Sequence, residues 1–253
     1  MKWTLAGTGV LRRLLAAVFL PAGFGAAIAA ADSASVEERP SVEVLLGAFD
    51  VIVFGSEIDK KLASRVIAKW NGPIRILVQG RVKPRYRRWI RTHLKTLAAL
   101  TGLRFKIPTA GKTAANFYIL FVRRSEMAKV PIKGVDPRLL EKLAAPGGCY
   151  FLTAKKPPSR IVMNYVVINS EREETGINHC LLEEISQSLG LPNDSDVIRP
   201  SIFSDRDRLT RLAPSDEILL KTLYHPLMRP GLPRAQALAR ARKIIAGLAA
   251  SPP

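Results

Sequence analysis

The chain has 253 residues, 47% of them hydrophobic, which is enough apolar material for one sizeable domain or two small ones. Its 39 Lys and Arg against 21 Asp and Glu give a formal net charge of +18, which favours association with anionic surfaces; general solubility is the alternative reading. The two cysteines and three scattered histidines have no spacing of the kind that thiolate zinc sites use.

The start of the chain predicts a cleavable secretory signal peptide. Lys2, Arg12 and Arg13 supply a positive region, residues 14–24 form an apolar run too short to cross a bilayer comfortably, and small residues at 29–31 offer a cleavage site. We therefore expect a periplasmic or secreted mature protein. Cleavage would leave 36 basic and 21 acidic residues and a net charge of +15.

An uncleaved membrane anchor is the alternative, but Pro21 and Gly23 interrupt its apolar stretch. The first cysteine is Cys149, so the lipid anchor of a bacterial lipoprotein is excluded. No later segment is long and apolar enough to span a membrane. In the envelope we expect anionic components or an envelope protein as partners, and no nucleic acid.

The chain then divides into a polar linker, one domain and a basic terminal segment. The predicted boundaries are 1–30 for the signal peptide, 31–45 for the linker, 46–232 for the domain and 233–253 for a basic C-terminal helix and tail. The terminal helix has two candidate locations, on the domain or on a membrane surface.

Hydrophobic periodicity predicts an α/β (α+β) domain with one mixed, twisted sheet, a long backing helix and a motif helix. Predicted strands span 49–54, 73–80, 103–107, 116–122, 149–153 and 160–169. Predicted helices span 60–70, 84–100, 135–143, 177–189 and 215–224.

Cys149 and Cys180 are the only cysteines. In an oxidising compartment they most simply form one disulfide, tying the strand after Gly148 to the start of the motif helix. Two buried free thiols are the alternative.

The segment 183–193 holds the most informative residues. Glu183 and Gln187 are four residues apart and share one helical face, and Gly190 makes a turn that could return Asn193 towards them.

This segment resembles the zinc helix of the metzincin metallopeptidases, in the matrixin-like branch, where two histidines flank a glutamate and a third follows a glycine turn. The resemblance implies that Glu184 corresponds to the catalytic glutamate and Gly190 to the turn glycine. Glu183, Gln187 and Asn193 stand at the three histidine positions, so we expect their side chains to converge.

The resemblance extends over about residues 49–224. Trp70, the long helix from Pro84, the strand order and the tail from Ser201 all fit the matrixin plan, although Phe203 stands near the position of the methionine turn. Segments 180–195 and 223–231 are also similar to domain-of-unknown-function family 2927, an envelope family without a settled activity.

The altered ligand positions argue against zinc, because one carboxylate and two amides replace three imidazoles. We therefore expect no cofactor. A weak calcium or magnesium site is the alternative, since the run 193–196 adds oxygen atoms to Glu183. The plainer interpretation is a solvated helix face followed by a turn.

Glu184 is the candidate catalytic residue, as a general base with a non-zinc ion or without metal. Arg172 and Arg199 are candidate electrophiles, and His179 shares the helix face of Glu183, which would allow an acid/base pair.

Basic side chains cluster along the backing helix, with Tyr86 and Trp89 among them. The cluster is a solvated outer face or an anion-binding surface. Its members are Arg81, Lys83, Arg85, Arg87, Arg88, Arg91 and Lys95.

The sequence thus leans towards a non-enzyme: an exported pseudopeptidase that acts as an envelope binding or scaffold module. The first alternative is a hydrolase that uses Glu184. The second is a binder of anionic envelope polymers or lipids.

Overall fold

The computed structural model describes residues 40–55, 63–107 and 114–250; the predicted signal peptide and residues 31–39 of the predicted linker lie outside these ranges. The described elements, in chain order, are α1 (Val42–Phe54), β1 (Lys69–Trp70), β2 (Ile74–Gly80), α2 (Pro84–Thr101), β3 (Phe105–Lys106), β4 (Phe117–Val122), a 3₁₀ helix (Arg124–Lys129), α3 (Pro137–Ala144), β5 (Cys149–Lys156), β6 (Arg160–Asn169), α4 (Glu174–Gln187), α5 (Pro214–Tyr224) and α6 (Arg234–Ala250).

The strands form one mixed sheet in the order β1-β6-β4-β2-β3. These neighbours pair in parallel. Strand β5 lies outside this order and pairs with β6 in the antiparallel sense. Parallel neighbours need crossover connections, and the long backing helix α2 supplies the one between β2 and β3. The predicted α/β class with one mixed sheet is confirmed.

Alternation along β4 shows how the sheet separates two apolar clusters. Phe117, Ile119 and Phe121 are at most 1% exposed and join the main core, which also includes residues of α1, α2, α4, α5 and α6. Leu120 and Val122 face the opposite side, where they pack on a smaller cluster built from the 3₁₀ helix, α3 and the sheet. Successive side chains of a strand point to opposite faces, so one segment serves both clusters.

Helix α2 confirms the prediction for 84–100. Pro84 occupies its first turn, and Gly102 ends it in the left-handed region at φ 70°. Its buried side chains recur at helical spacing, at Tyr86, Ile90, His93, Leu94 and Leu97.

Residues 49–54, predicted as a strand, form the end of helix α1, so this prediction is wrong. The Oγ of Ser41 accepts a hydrogen bond from the Val44 N–H at 3.3 Å, which caps the helix. The buried positions Leu45, Ala48, Phe49, Ile52 and Val53 follow helical spacing. A six-residue apolar run cannot distinguish the two structures, whereas the cap and the preceding turn can. The domain thus includes the end of the predicted linker.

The helix predicted over 60–70 is also wrong where the structure describes it, from residue 63 onward. The N–H of Ile67 donates to the Leu232 carbonyl, and the N–H of Gly231 donates to the Ile67 carbonyl, both at 2.9 Å. The segment then enters β1. Pairing with a distant part of the chain has overridden the local preference.

Helix α6 lies on the domain, one of the two locations considered for it. It buries Ala237, Ala241 and Ile245 against α1 and α5, and Arg234 pairs with Asp50 at 2.5 Å. Within the described ranges, no helix has the length and apolar character needed to cross a membrane.

Gly190, the predicted turn glycine, has φ +116°, and a Cβ there would lie 2.1 Å from the Ala68 carbonyl oxygen. We expect Gly190→Ala to lower the free energy of unfolding by at least about 2 kcal/mol, because it adds both strain and a clash. Gly47→Ala is the control: this exposed glycine of α1 has open space around it, so alanine should stabilise the protein by about 0.5–1 kcal/mol. Denaturant titration measures both changes, and effects of the same sign would contradict the expectation.

Candidate functional site

Helix α4 carries the candidate site on one face. His179, Glu183 and Gln187 recur every four residues and are at most 9% exposed. The helix is buried on nearly all sides because it packs against α2, β5 and β6. Polar side chains in such a position need partners or a solvent-filled space.

A cavity of about 800 Å³ opens beside this face. Its lining includes Cys149 and Phe151 of β5, Glu183, Glu184 and Gln187 of α4, and Asp194 of the following loop. The volume lies within the range of ligand-binding pockets in proteins.

The structure brings two of the three expected positions together. Glu183 and Gln187 both line the cavity, and the Gln187 Nε2 donates to the Asp194 Oδ1 at 2.5 Å. Asn193 is not among the lining residues: its backbone N–H donates to the Ile52 carbonyl at 3.2 Å, and its side chain packs on Gly55, where no Cβ blocks it. Asp194 therefore takes the third place.

Three carboxylates gather where the resemblance places a metal. The nearest oxygens of Glu183, Asp194 and Asp205 lie within 4.8 Å of one another, while Arg172 and Arg208 line the same cavity. Oxygen ligands suit calcium or magnesium, whereas zinc prefers nitrogen and sulfur.

The other acidic residue of the run 193–196 lies elsewhere. Asp196 pairs with Arg206 at 2.8 Å and accepts from the Ser204 Oγ at 2.7 Å. The oxygen atoms near Glu183 come from Asp194 and from Asp205, and sequence reasoning missed Asp205. The alternating charges of 205–208 were the only signal, and an irregular segment gives no periodicity from which to place them.

Glu184 lies in the cavity and is 5% exposed. Of the two candidate electrophiles, Arg172 lines the cavity with it. Arg199 does not, since it pairs with Asp207 at 2.7 Å on the exposed surface. A general base at Glu184 would thus have Arg172 rather than Arg199 within the same space.

His179 and Glu183, which share a helix face as expected from their spacing, lie close together. The Nε2 of His179 lies 3.2 Å from the Oε2 of Glu183, and the Nδ1 lies 2.9 Å from the Leu209 carbonyl oxygen. His179 is 1% exposed and does not line the cavity. It stands behind Glu183, where it can position that carboxylate but cannot reach a ligand.

Cys149 and Cys180 form the predicted disulfide, with their Cα atoms 6.0 Å apart. It joins the start of β5 to α4, and Cys149 forms part of the cavity wall. The disulfide thus fixes the distance between the two walls of the site.

Strand β5 presents an unpaired edge next to the cavity. Asn169 N–H donates to the Gly148 carbonyl at 3.0 Å, and bonded pairs alternate along an antiparallel ladder. The backbone groups of Cys149, Phe151 and Thr153 consequently point away from β6. In the described part of the chain, no other strand pairs with β5.

A buried turn supports the loop that follows α4. Ser195 N–H donates to the carbonyl of Phe203, which is 0% exposed. Asp216 holds the turn by accepting hydrogen bonds from the Ser201 Oγ at 2.6 Å and the Ile202 N–H at 3.0 Å. Burial raises the pKa of Asp216 to about 6.

This pKa predicts a pH-dependent stability. The folded chain holds the Asp216 proton more tightly than the unfolded chain, where the pKa is 3.8, so the stabilisation is complete below pH 3.8 and is lost as pH rises through about 6. We expect the difference in unfolding free energy between the unmodified protein and Asp216→Asn to fall by about 2–3 kcal/mol from pH 4 to pH 7. Denaturant titrations across this range test it, and a constant difference would contradict it.

The outer face of α2 carries a row of cations without ion-pair partners among the described residues. Arg88, Arg91 and Lys95 are exposed and lie on one helical stripe, opposite the buried side. Lys83 and Arg85 differ from them, because both pair with Glu174.

Comparison with protein families places the chain in a family of unknown function. The family described as "Protein of unknown function (DUF2927)" matches residues 43–243, a range that contains the cavity, the disulfide and α2. No curated protein matches the chain.

Proposed function

This chain belongs to the DUF2927 family, and we propose that it is an exported, metzincin-like pseudopeptidase that binds an extended peptide in the cell envelope without cleaving it. The observation that carries the proposal is the unpaired edge of β5 beside the cavity. An extended peptide can add a strand to such an edge and place alternate side chains in the adjoining pocket.

The chemistry of the cavity favours binding over catalysis. Glu183 and Gln187 offer oxygen and amide groups where the metzincin resemblance requires imidazoles, and Asp194 is hydrogen-bonded to Gln187. A carboxylate such as Glu184 can still act as a base, which keeps the hydrolase as the rival. The rival predicts peptidase activity that Glu184→Gln abolishes, whereas we expect none in the oxidised protein, with or without a chelator.

Export is part of the proposal and has a test of its own. N-terminal sequencing of the protein from envelope fractions should find a start near residues 30–32. An intact Met1 there would contradict cleavage.

Peptide binding is tested with an array of random-sequence decapeptides and the purified oxidised protein. The best binder is then measured by fluorescence polarisation against Thr153→Pro, which removes one outward N–H of β5, and against Thr153→Ala, which keeps it. We expect Thr153→Pro to weaken binding at least tenfold and Thr153→Ala to have little effect.

A second control changes the peptide rather than the protein, so its result does not depend on whether Thr153→Pro folds. N-methylation of alternate amides in the peptide should abolish strand pairing with the unmodified protein. An array without binders, or a methylated peptide that binds equally well, would overturn the proposal.

The cation row of α2 supports a second candidate function, binding to anionic envelope lipids or polymers. None of its three side chains forms an ion pair with another described residue, so docking on an anionic surface would break no such pair. We expect the triple variant Arg88→Ser/Arg91→Ser/Lys95→Ser to lose salt-sensitive retention on lipopolysaccharide and on anionic vesicles. Lys129→Ser/Lys133→Ser/Arg138→Ser removes equal charge from another face, and equal losses would show that net charge alone acts.

A further inference from the structure

We propose that reduction of the Cys149–Cys180 disulfide creates a zinc site from Cys149, Cys180, Glu183 and His179. This site shares Glu183 with the cavity carboxylates but does not use Asp194 or Asp205, and it goes beyond the proposed binding function. The nearest ligand atoms of Cys149, Cys180 and Glu183 already lie within 4.8 Å of one another.

His179 provides the second, independent observation. It is 1% exposed, and its Nε2 makes no hydrogen bond although it lies 3.2 Å from the Glu183 Oε2. Its Nδ1 lies 2.9 Å from the Leu209 carbonyl oxygen, and only an Nδ1–H can donate to that oxygen. The Nε2 is thus a buried nitrogen without a hydrogen bond, next to a carboxylate oxygen, and a metal ion bound by both atoms would give it a partner.

Zinc fits this position, because a ring nitrogen fixed by a backbone carbonyl on its other side is the usual form of a zinc-bound histidine. The distances agree as well: nitrogen and oxygen ligands at about 2.0–2.1 Å from a tetrahedral zinc stand about 3.4 Å apart, close to the 3.2 Å between His179 and Glu183.

The two sulfur atoms can become zinc ligands only after the disulfide is reduced. Cys149 Sγ lies 3.9 Å from the Glu183 Oε2, and a tetrahedral zinc would hold sulfur and oxygen about 3.6 Å apart. Arg172 Nη1 lies 3.5 Å from the Cys180 Sγ, which places a positive charge beside that sulfur. Three of the four ligand atoms, those of Cys149, Cys180 and Glu183, already lie within 4.8 Å of one another. His179 contacts Glu183 at 3.2 Å, so the site requires its ring to approach the two sulfur atoms.

The reaction balances with a dithiol reductant. The dithiol transfers two electrons and two protons to the disulfide, becomes a disulfide itself and leaves two thiols on the protein. Zinc then binds as both thiols lose their protons, so the ion and an intact disulfide exclude each other.

The experiment compares the oxidised and the reduced full mature protein in zinc titrations against a chromophoric chelator without oxygen, with cobalt as a spectroscopic substitute. We expect no binding when the protein is oxidised. When it is reduced, we expect one zinc per chain and a thiolate-to-cobalt charge-transfer band. Glu183→Gln and His179→Gln should each weaken binding at least about tenfold, and Cys149→Ser should abolish it.

Asp205→Asn is the matched control, because it alters the cavity carboxylates but none of the four ligands. Unchanged zinc affinity in Asp205→Asn supports the proposal, and loss of the ion would locate it in the cavity and overturn it. Absence of zinc from the reduced protein, or equal binding by Cys149→Ser, would also overturn it. If reduction unfolds the chain, one equivalent of zinc should restore the native circular dichroism, and failure to do so contradicts the site.

Discussion

The double variant Glu183→His/Gln187→His is expected to bind one zinc ion at least about a thousandfold more tightly than the unmodified oxidised protein. Both positions lie on the cavity face of α4, one helical turn apart, which is the spacing that lets two imidazoles share a metal. Asp194 already contacts the Gln187 side chain at 2.5 Å, so it can supply the third ligand.

Two residues are candidates for the third zinc ligand in this variant: Asn193, expected from the sequence, and Asp194, which lines the cavity. Adding Asn193→His should improve affinity little, because Asn193 is held against Gly55 and away from the cavity. Adding Asp194→Asn to the double variant should remove most of the gain. Titration calorimetry and metal analysis measure each case. A double variant that folds and takes up no zinc would reject a metzincin-like site.

Removal of the disulfide is expected to have the largest effect on stability. We expect Cys149→Ser/Cys180→Ser to lower the free energy of unfolding by about 3–4 kcal/mol, because the bond closes a loop over a sequence separation of 31 residues and restricts the unfolded chain. Denaturant titration of the double variant against the oxidised parent measures the loss.

The reduced parent is the control for this prediction. It loses the same loop constraint without a change of sequence, so it should match the double variant within about 1 kcal/mol when zinc is absent. A loss below about 1 kcal/mol in both would mean that packing of α4 against β5, rather than the bond, holds the two walls together.

Local periodicity predicted most of the fold. The strand at 160–169 agrees with β6 to the residue, and α2 agrees within one residue at its end. The buried positions of α2 recur at helical spacing, whereas residues 160–169 are rich in Val and Ile, which favour strands. The error at 49–54 falls on a short, mostly apolar segment that fits more than one period. The error at 60–70 falls where pairing with Gly231 and Leu232 overrides the local preference.

Part of the candidate site could likewise be predicted from local spacing, and part could not. Glu183 and Gln187 share a face because they lie four residues apart on one helix, which the sequence states directly. Asp194, rather than Asn193, lines the cavity because the turn holds Asn193 against Gly55 and the Ile52 carbonyl. These two residues lie more than 130 positions earlier in the chain, so the sequence pattern does not reveal the contact.

The sequence by itself determined the α/β class, the helix that carries Glu183, Glu184 and Gln187, and the presence of a single pair of cysteines. These features are local or compositional, and local sterics and hydrophobic spacing suffice to set them. Only the tertiary structure placed Asp205 at the cavity, left the edge of β5 unpaired among the described residues and brought Cys149 to Cys180 and Glu183. The spacing of His179, Cys180 and Glu183 on one helix is visible in the sequence, but only the packing of β5 on α4 adds Cys149 to them.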